Sequence, residues 1–333
     1  MNLIIPMAGR GSRLRPHTLT VPKPLVHVAG KPIVQHLVED LAAMSPRPFA
    51  NIAFVIGDFG DQVESDLLNL ASRLGAQGHI CHQDQPLGTA HAVWCAKEWL
   101  SGETVVAFAD TLFRADFQLD AEADGHIFVK RIEDPRQFGV VVLDDDGAIS
   151  EYAEKPEEPV SNLAMIGIYQ FKDGGALGRE IDLLIENGTM KGGEYQLPDA
   201  FRALTEQGAR FRPGEVNAWM DCGNREVTVE TNGRMLEFLG DAAGVAPGAT
   251  VENSVVIPPC IIQEGAVVRN AVVGPCVTIG PRTVVERSIL SDCLVGSDGH
   301  LNGVNLKGSM IGNHASVSRS GEDLSIGDYC TSA

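Results

Sequence analysis

Beyond about residue 244, branched apolar residues recur at six-residue intervals, at Val245, Val251 and Ile257, at Val273, Ile279 and Val285, at Val295 and Leu301, and at Ile311 and Val317. Glycine, proline, asparagine and small residues fill the gaps. A helix, whose faces repeat about every 3.6 residues, does not present such a set to one core. A coil of short strands does, each strand forming one side of a turn. Residues 245–333 are therefore expected to form a β-helix of hexapeptide repeats, with phase slips near 263, 289 and 305 marking bulges or loops. Cys260, Cys276 and Cys293 fall at nearly one-turn spacing and read as a ladder of buried thiols. His300 and His314 read as surface or turn residues.

Before residue 240 the pattern is different. Apolar runs at 51–56 and 104–109 read as strands, and helix-period segments follow Lys31 and cover 61–74 and 88–100. That alternation implies an α/β fold, a Rossmann-like, mostly parallel sheet with helices on both faces. The expected domains are 1–240, carrying the chemistry, and 245–333, the β-helix. A formal net charge of −18 excludes general attraction to nucleic acid or an anionic membrane. Seven cysteines without a Cys-x-x-Cys pair argue against a disulfide framework or zinc site. No apolar run reaches the roughly 20 residues of a membrane span, and no signal-peptide pattern opens the chain, so a cytoplasmic location is expected.

Against that acidity, no Asp or Glu precedes Glu39, while Arg10, Arg13, Arg15, Lys23 and Lys31 cluster between residues 9 and 32. The segment follows the apolar run Leu3-Ile4-Ile5-Pro6-Met7, where the first strand of an open α/β sheet would end and ligands bind. Gly9 and Gly11 allow backbone N–H groups to approach a phosphate, Arg13 supplies a planar fork, and Lys23, between Pro22 and Pro24 in an expected extended run, supplies a point charge. The cations are expected to converge on one polyanion. The Gly-Lys-Ser/Thr ending of a P-loop is absent, and Leu14 replaces the third glycine of a dinucleotide fingerprint.

Two further stretches carry chemistry. Gln83-Asp84-Gln85-Pro86-Leu87-Gly88-Thr89-Ala90 has a glycine at a helix start, where free N–H groups and a tight turn could meet a planar base. Asp110 is the first polar residue beyond a buried strand. By contrast, Asp144-Asp145-Asp146-Gly147 reads as hairpin-turn chemistry.

The Gly-x-Gly-x-Arg-Leu-x-Pro-x-Thr loop followed by Pro-Lys-Pro resembles the sugar-1-phosphate nucleotidylyltransferases, or nucleotide-sugar pyrophosphorylases. The resemblance implies nucleotide binding by Ala8, Gly9, Gly11, Ser12, Arg13, Lys23, Gln83, Gly88 and Thr89. It implies Mg²⁺ held by Asp110 and Asp221, and sugar-phosphate binding by Glu154, Lys155, Gly167 and Glu194. Arg13, Lys23, Asp110 and Asp221 are the expected catalytic residues. Ile166 stands where many relatives carry Asn or Thr, so sugar choice does not transfer through that position.

The implied reaction is attack of a sugar-1-phosphate oxygen on the α-phosphorus of a nucleoside triphosphate, with pyrophosphate leaving. Thymidylyl or uridylyl transfer to glucose-1-phosphate leads, and guanylyl transfer to mannose-1-phosphate follows. A nucleotide-sugar-sensing paralogue is disfavoured by the retained Arg13, Lys23, Asp110, Lys155 and Asp221, and a bifunctional uridylyl and acetyl transferase by the short β-helix. A homo-oligomer is expected.

Overall fold

The computed structural model describes residues 1–9, 11–116, 122–156, 158 and 160–321; Arg10 lies outside them. The chain divides into two compact units: Met1–Val26 with Pro32–Gly223, and His27–Lys31 with the residues from Asn224 onward.

In the first unit, four strands lie side by side and parallel, three of them read from apolar runs. Thr104–Ala107 pairs with Asn2–Pro6, then come Asn51–Ile56 and Gln77–His82. Ile4, Ala53, Val55 and Val106 pack on one face against Ala90, Val93, Leu177 and Phe201. The alternate residues Leu3, Ile5, Ile52 and Phe54 are equally buried. A parallel sheet covered on both faces needs such unbroken apolar strands. The sheet is extended by Leu163–Phe171, antiparallel to Thr104–Ala107, which also joins Gly125–Arg131 and, through Ala164, Gly139–Leu143. The result is a nine-stranded mixed sheet with helices, the α/β class expected.

Local elements follow the sequence with informative exceptions. The helix expected over 88–100 stops early, as Thr89–Trp94, and ends in a 3₁₀ turn, Lys97–Trp99. Asp144 does close a turn, its Oδ1 accepting from the backbone N–H groups of Asp146 and Ala148. Pro22-Lys23-Pro24 is not extended: Lys23–Leu25 is a 3₁₀ turn. Proline in a first turn loses no hydrogen bond, and its fixed φ suits that geometry.

The second unit stacks short parallel strands into three sheets. Val251, Val268, Val285, Leu301 and Val317 lie in register along one of them. Val268, Val285 and Leu301 are fully buried, whereas Val251, at the end of the stack, is not. Successive turns take 17 and then 16 residues, the separations across the Arg269–Glu252 and Arg282–Asp298 bonds, so corners of five residues interrupt a strict six-residue frame. Ile257 falls out of that frame; Val256 pairs with Val273 instead. The cysteine ladder is partial. Cys260 and Cys293 share a row with Val277 between them, while Cys276 sits at a corner with φ of 59°.

Helix Arg225–Leu239, capped by Asn224, belongs to this unit rather than to the sheet before it, so the compact units part ahead of residue 240. Its polar residues explain why. Asn232 is fully buried, and its Oδ1 accepts from the Ala29 N–H at 2.9 Å and from Thr278 Oγ1 at 2.7 Å. Removing it leaves two buried donors unpaired, at a cost of about 1–3 kcal/mol. Asn232→Ala should therefore lower the urea midpoint of the transition that reports this unit, followed by circular dichroism; an unchanged midpoint would contradict that role.

Candidate active site

A cavity of about 390 Å³ opens where the Asn2–Pro6 strand ends. Pro6, Met7, Ala8, Gly9, Gly11, Ser12 and Arg13 form one wall. Gly11 has φ of 61°, and a Cβ there would stand 2.7 Å from the Lys23 Cβ. Glycine thus meets both a left-handed conformation and the close approach of Lys23. The Lys23 side chain is 9% exposed, and its Nζ lies 3.3 Å from Asp110 Oδ2. A nearly buried ammonium so placed is fixed in position beside a carboxylate oxygen.

Asp110 follows the Thr104–Ala107 strand and leads into Thr111–Arg114, which pairs antiparallel with Ala218–Asp221. The register sets Asp221 opposite Thr111, and the Cys222 N–H donates to the Asp110 carbonyl at 3.2 Å. Two carboxylates distant in sequence are brought to neighbouring backbone positions. Burial pushes the Asp221 carboxyl above the ordinary range; Lys23 opposes that shift and the Asp110 charge adds to it. Gly223 accommodates the Asp221 side chain, because a Cβ there would come within 2.6 Å of Oδ2. Among the described residues no cluster of three or more His, Cys, Asp or Glu is suited to a metal. Two carboxylates still match what Mg²⁺ takes from protein when substrate phosphates and water complete its shell.

The opposite wall is Gln83, Pro86, Gly88, Thr89 and Glu194. Gly88 has φ of 108°, and a Cβ there would lie 2.5 Å from the Tyr195 carbonyl oxygen. That contact is the closed end of a clasp: the Tyr195 N–H donates to Leu87 O at 2.8 Å, the Ala90 N–H to Tyr195 O at 3.0 Å, and the Leu197 N–H to Thr89 Oγ1 at 3.0 Å. The Gln83 to Ala90 stretch and the segment that follows Glu194 are thus locked together. Gln196 donates to Glu194 Oε2 at 3.2 Å.

Not every expected residue reaches this cavity. Arg15 lines a separate concavity with Thr18 and Asp58, and Lys31 belongs to the second unit. The 3₁₀ turn Ser12–Leu14 buries Leu14, and among the described residues of the cluster Arg13 and Lys23 line the cavity while Arg15 does not. Asp221 is not itself a lining residue, though Gly223 beneath its carboxylate is. Glu154 and Lys155 end a sheet-edge strand outside the lining; Lys155 is 64% exposed and 3.8 Å from Glu154. Burial, and then the Glu154 and Asp110 charges, push the Tyr169 phenol upward. Gly167 sits at a bulge with φ of 81° and accepts from the Phe108 N–H at 2.9 Å, so it supports a lining residue rather than lining the cavity. Ile166 is buried. Phe108, Ala92 and Pro24 were missed; Phe108 lies inside the run read as a strand, and its N–H meets Gly167 at a bulge of the neighbouring strand.

Comparison with known proteins agrees with this geometry. A family profile described as nucleotidyl transferase matches residues 3–237, and one described as a GlmU-like C-terminal hexapeptide matches residues 228–321. A Haloferax volcanii protein named low-salt glycan biosynthesis nucleotidyltransferase Agl11 is 32% identical over 77% of this chain and 72% of its own. A glucose-1-phosphate thymidylyltransferase of Streptomyces griseus is 30% identical over 79% of this chain and 78% of its own. The mannose-1-phosphate guanylyltransferase catalytic subunit beta of Drosophila pseudoobscura pseudoobscura is 33% identical over 66% of this chain, which spans 58% of that protein. A solved Bacillus anthracis structure assigned as a glucose-1-phosphate thymidylyltransferase, in complex with sucrose, shares the fold, with a TM-score of 0.59 at 24% identity over 69% of this chain and 93% of that one. With a cavity walled by a glycine loop and a profile match across most of its length, the chain belongs to the nucleotidyl transferase family, and a hexapeptide-repeat domain completes it.

Proposed function

We propose that this protein transfers a nucleotidyl group from a nucleoside triphosphate to a sugar-1-phosphate, releasing pyrophosphate. The single observation that carries the reading is the cavity itself: a glycine loop and Arg13 on one wall, the Lys23–Asp110 pair beside them, and the clasped Gln83, Gly88 and Glu194 facing them. Glucose-1-phosphate with dTTP or UTP is the leading substrate pair, supported by the Streptomyces relative matched over 78% of its length. Guanylyl transfer to mannose-1-phosphate is the second reading, supported by the Drosophila relative matched over 58% of its length.

In this scheme a phosphate oxygen of the sugar-1-phosphate attacks the α-phosphorus in line, the bond to the β-phosphate oxygen breaks, and pyrophosphate departs. The N–H groups of the glycine loop and the Arg13 fork would bear the triphosphate, and Lys23 would hold charge near the α-phosphorus. Gln83, Gly88 and Thr89 would hold the base, and Glu194 the sugar hydroxyls. Glu154 and Lys155 would grip the sugar phosphate from the rim. Asp110 and Asp221 would hold Mg²⁺, whose contribution when bound is Lewis-acid neutralisation of phosphate charge, on the order of several kcal/mol. Positioning and fixed charge account for the rest, and no covalent enzyme intermediate is needed.

Pyrophosphate release from a matrix of purified nucleoside triphosphates against sugar-1-phosphates tests the proposal. Turnover is expected with at least one sugar-1-phosphate, highest for glucose-1-phosphate with dTTP or UTP; no release with any pair would refute it. Asp221→Asn should lose turnover and yet gain stability. Because the folded carboxyl sits above its unfolded value, ionisation opposes folding, so the advantage of the Asn variant should build as pH rises through the carboxylate range and hold constant by neutral pH. Thermal melts at several pH values check this; an Asn variant that melts lower at neutral pH would contradict it.

A further inference from the structure

The turn that brings Glu194 to the cavity wall has little packing of its own. Lys191-Gly192-Gly193-Glu194 is a two-residue hairpin turn: the Lys191 N–H donates to Glu194 O at 2.9 Å and the Glu194 N–H to Lys191 O at 3.1 Å. Gly192 and Gly193 have φ of 60° and 84°, the paired left-handed conformation that the tightest hairpins require. A Cβ at either would meet nothing within 4 Å, and residues 187–194 are all exposed. The turn is held instead at its two ends. After it, the Tyr195 clasp anchors the chain; before it, an ion pair does, the Lys191 Nζ lying 2.6 Å from Asp199 Oδ1.

Asp199 is a rigid receiver for that lysine. It stands in the first turn of helix Leu197–Glu206, where negative charge is favoured, and its side chain is 10% exposed. Arg202 donates to the same Oδ1 at 2.5 Å and, through its other terminal nitrogen, to the Tyr152 carbonyl oxygen at 2.7 Å, so the carboxylate is fixed from behind. Its Oδ2 is buried with no hydrogen-bond partner among the described residues. A carboxylate so desolvated attracts Lys191 more strongly than an exposed one would.

We infer that Lys191, which does not line the cavity, is a positioning residue for sugar-phosphate recognition: its ion pair with Asp199 sets where Glu194 stands. The inference rests on the proposed nucleotidyl transfer. The clasp begins at Tyr195, so Glu194, one residue outside it, takes its place from the turn. The Lys191–Asp199 pair ties that turn to the helix that the clasp already joins to Thr89, and so makes Glu194 part of the same rigid wall. Without the pair the glycine turn is free to swing about Tyr195, carrying Glu194 with it, while the Gly88 side keeps its own hydrogen bonds.

The test compares the wild type, Lys191→Met and Lys191→Arg in steady-state pyrophosphate release and in backbone hydrogen–deuterium exchange of the full chain. Lys191→Met keeps most of the aliphatic stem and loses the charge, and Asp199 retains Arg202, so the variant is expected to fold. Its KM for the sugar-1-phosphate should rise about three- to tenfold, where a fully exposed pair would give at most about fivefold. The KM for the nucleotide and kcat should change little, and Lys191→Arg should restore most of the loss. Exchange in the peptide spanning residues 189–195 should quicken in Lys191→Met and not in Lys191→Arg. Should Lys191→Met not fold, Lys191→Gln is expected to show the same split. An unchanged KM for the sugar-1-phosphate, an equal rise for both substrates, or unchanged exchange would overturn the inference. A wild type that releases no pyrophosphate from any substrate pair refutes the proposed transfer instead, and exchange alone then decides whether Lys191 holds the turn.

Discussion

A four-residue antiparallel ladder, Thr111–Arg114 against Ala218–Asp221, is the constraint on which the site depends. It joins the segment leaving a central parallel strand to one far along the chain, and so sets Asp110 and Asp221 side by side. Two like charges near one another, one of them half-buried, oppose folding. Lys23 offsets part of that cost, and Gly11 makes room for Lys23 by lacking a Cβ. The N-terminal loop, the lysine and the two carboxylates are thus one electrostatic unit, and a change at any of them is felt by the rest.

The facing wall is built by a different device. Gly88 lies against the Tyr195 backbone so closely that only glycine fits, and three hydrogen bonds close the clasp. The segments proposed to hold base and sugar therefore move as one body. Backbone clasping of this kind gives positions accurate to fractions of an ångström, which is what charge stabilisation in a transfer reaction requires.

Much of this was legible in the sequence where the cause was local. Glycine at a tight turn, apolar runs for a buried parallel sheet and a near-six-residue repeat each reflect a steric or periodic requirement confined to a few residues. What was not legible depended on tertiary partners. The extended reading of Lys23 failed because proline is as suited to a first 3₁₀ turn as to an extended chain. Arg15 faces a different concavity from Arg13, because residues near in sequence leave a tight turn in different directions. Phe108 was missed because its backbone meets a bulge at Gly167 on a neighbouring strand, which nothing in its own run announces. The helix pattern of Arg225–Leu239 does not announce the compact unit it packs in, because that depends on the buried polar side chain of Asn232.

The most direct test of the account is whether Asp110 and Asp221 together hold a divalent ion. Mn²⁺ titration by electron paramagnetic resonance, on protein loaded with a non-hydrolysable nucleoside triphosphate, measures this apart from turnover. The account expects Asp110→Asn and Asp221→Asn each to weaken Mn²⁺ binding by about tenfold or more while both remain folded. Wild-type affinity in both variants would contradict it.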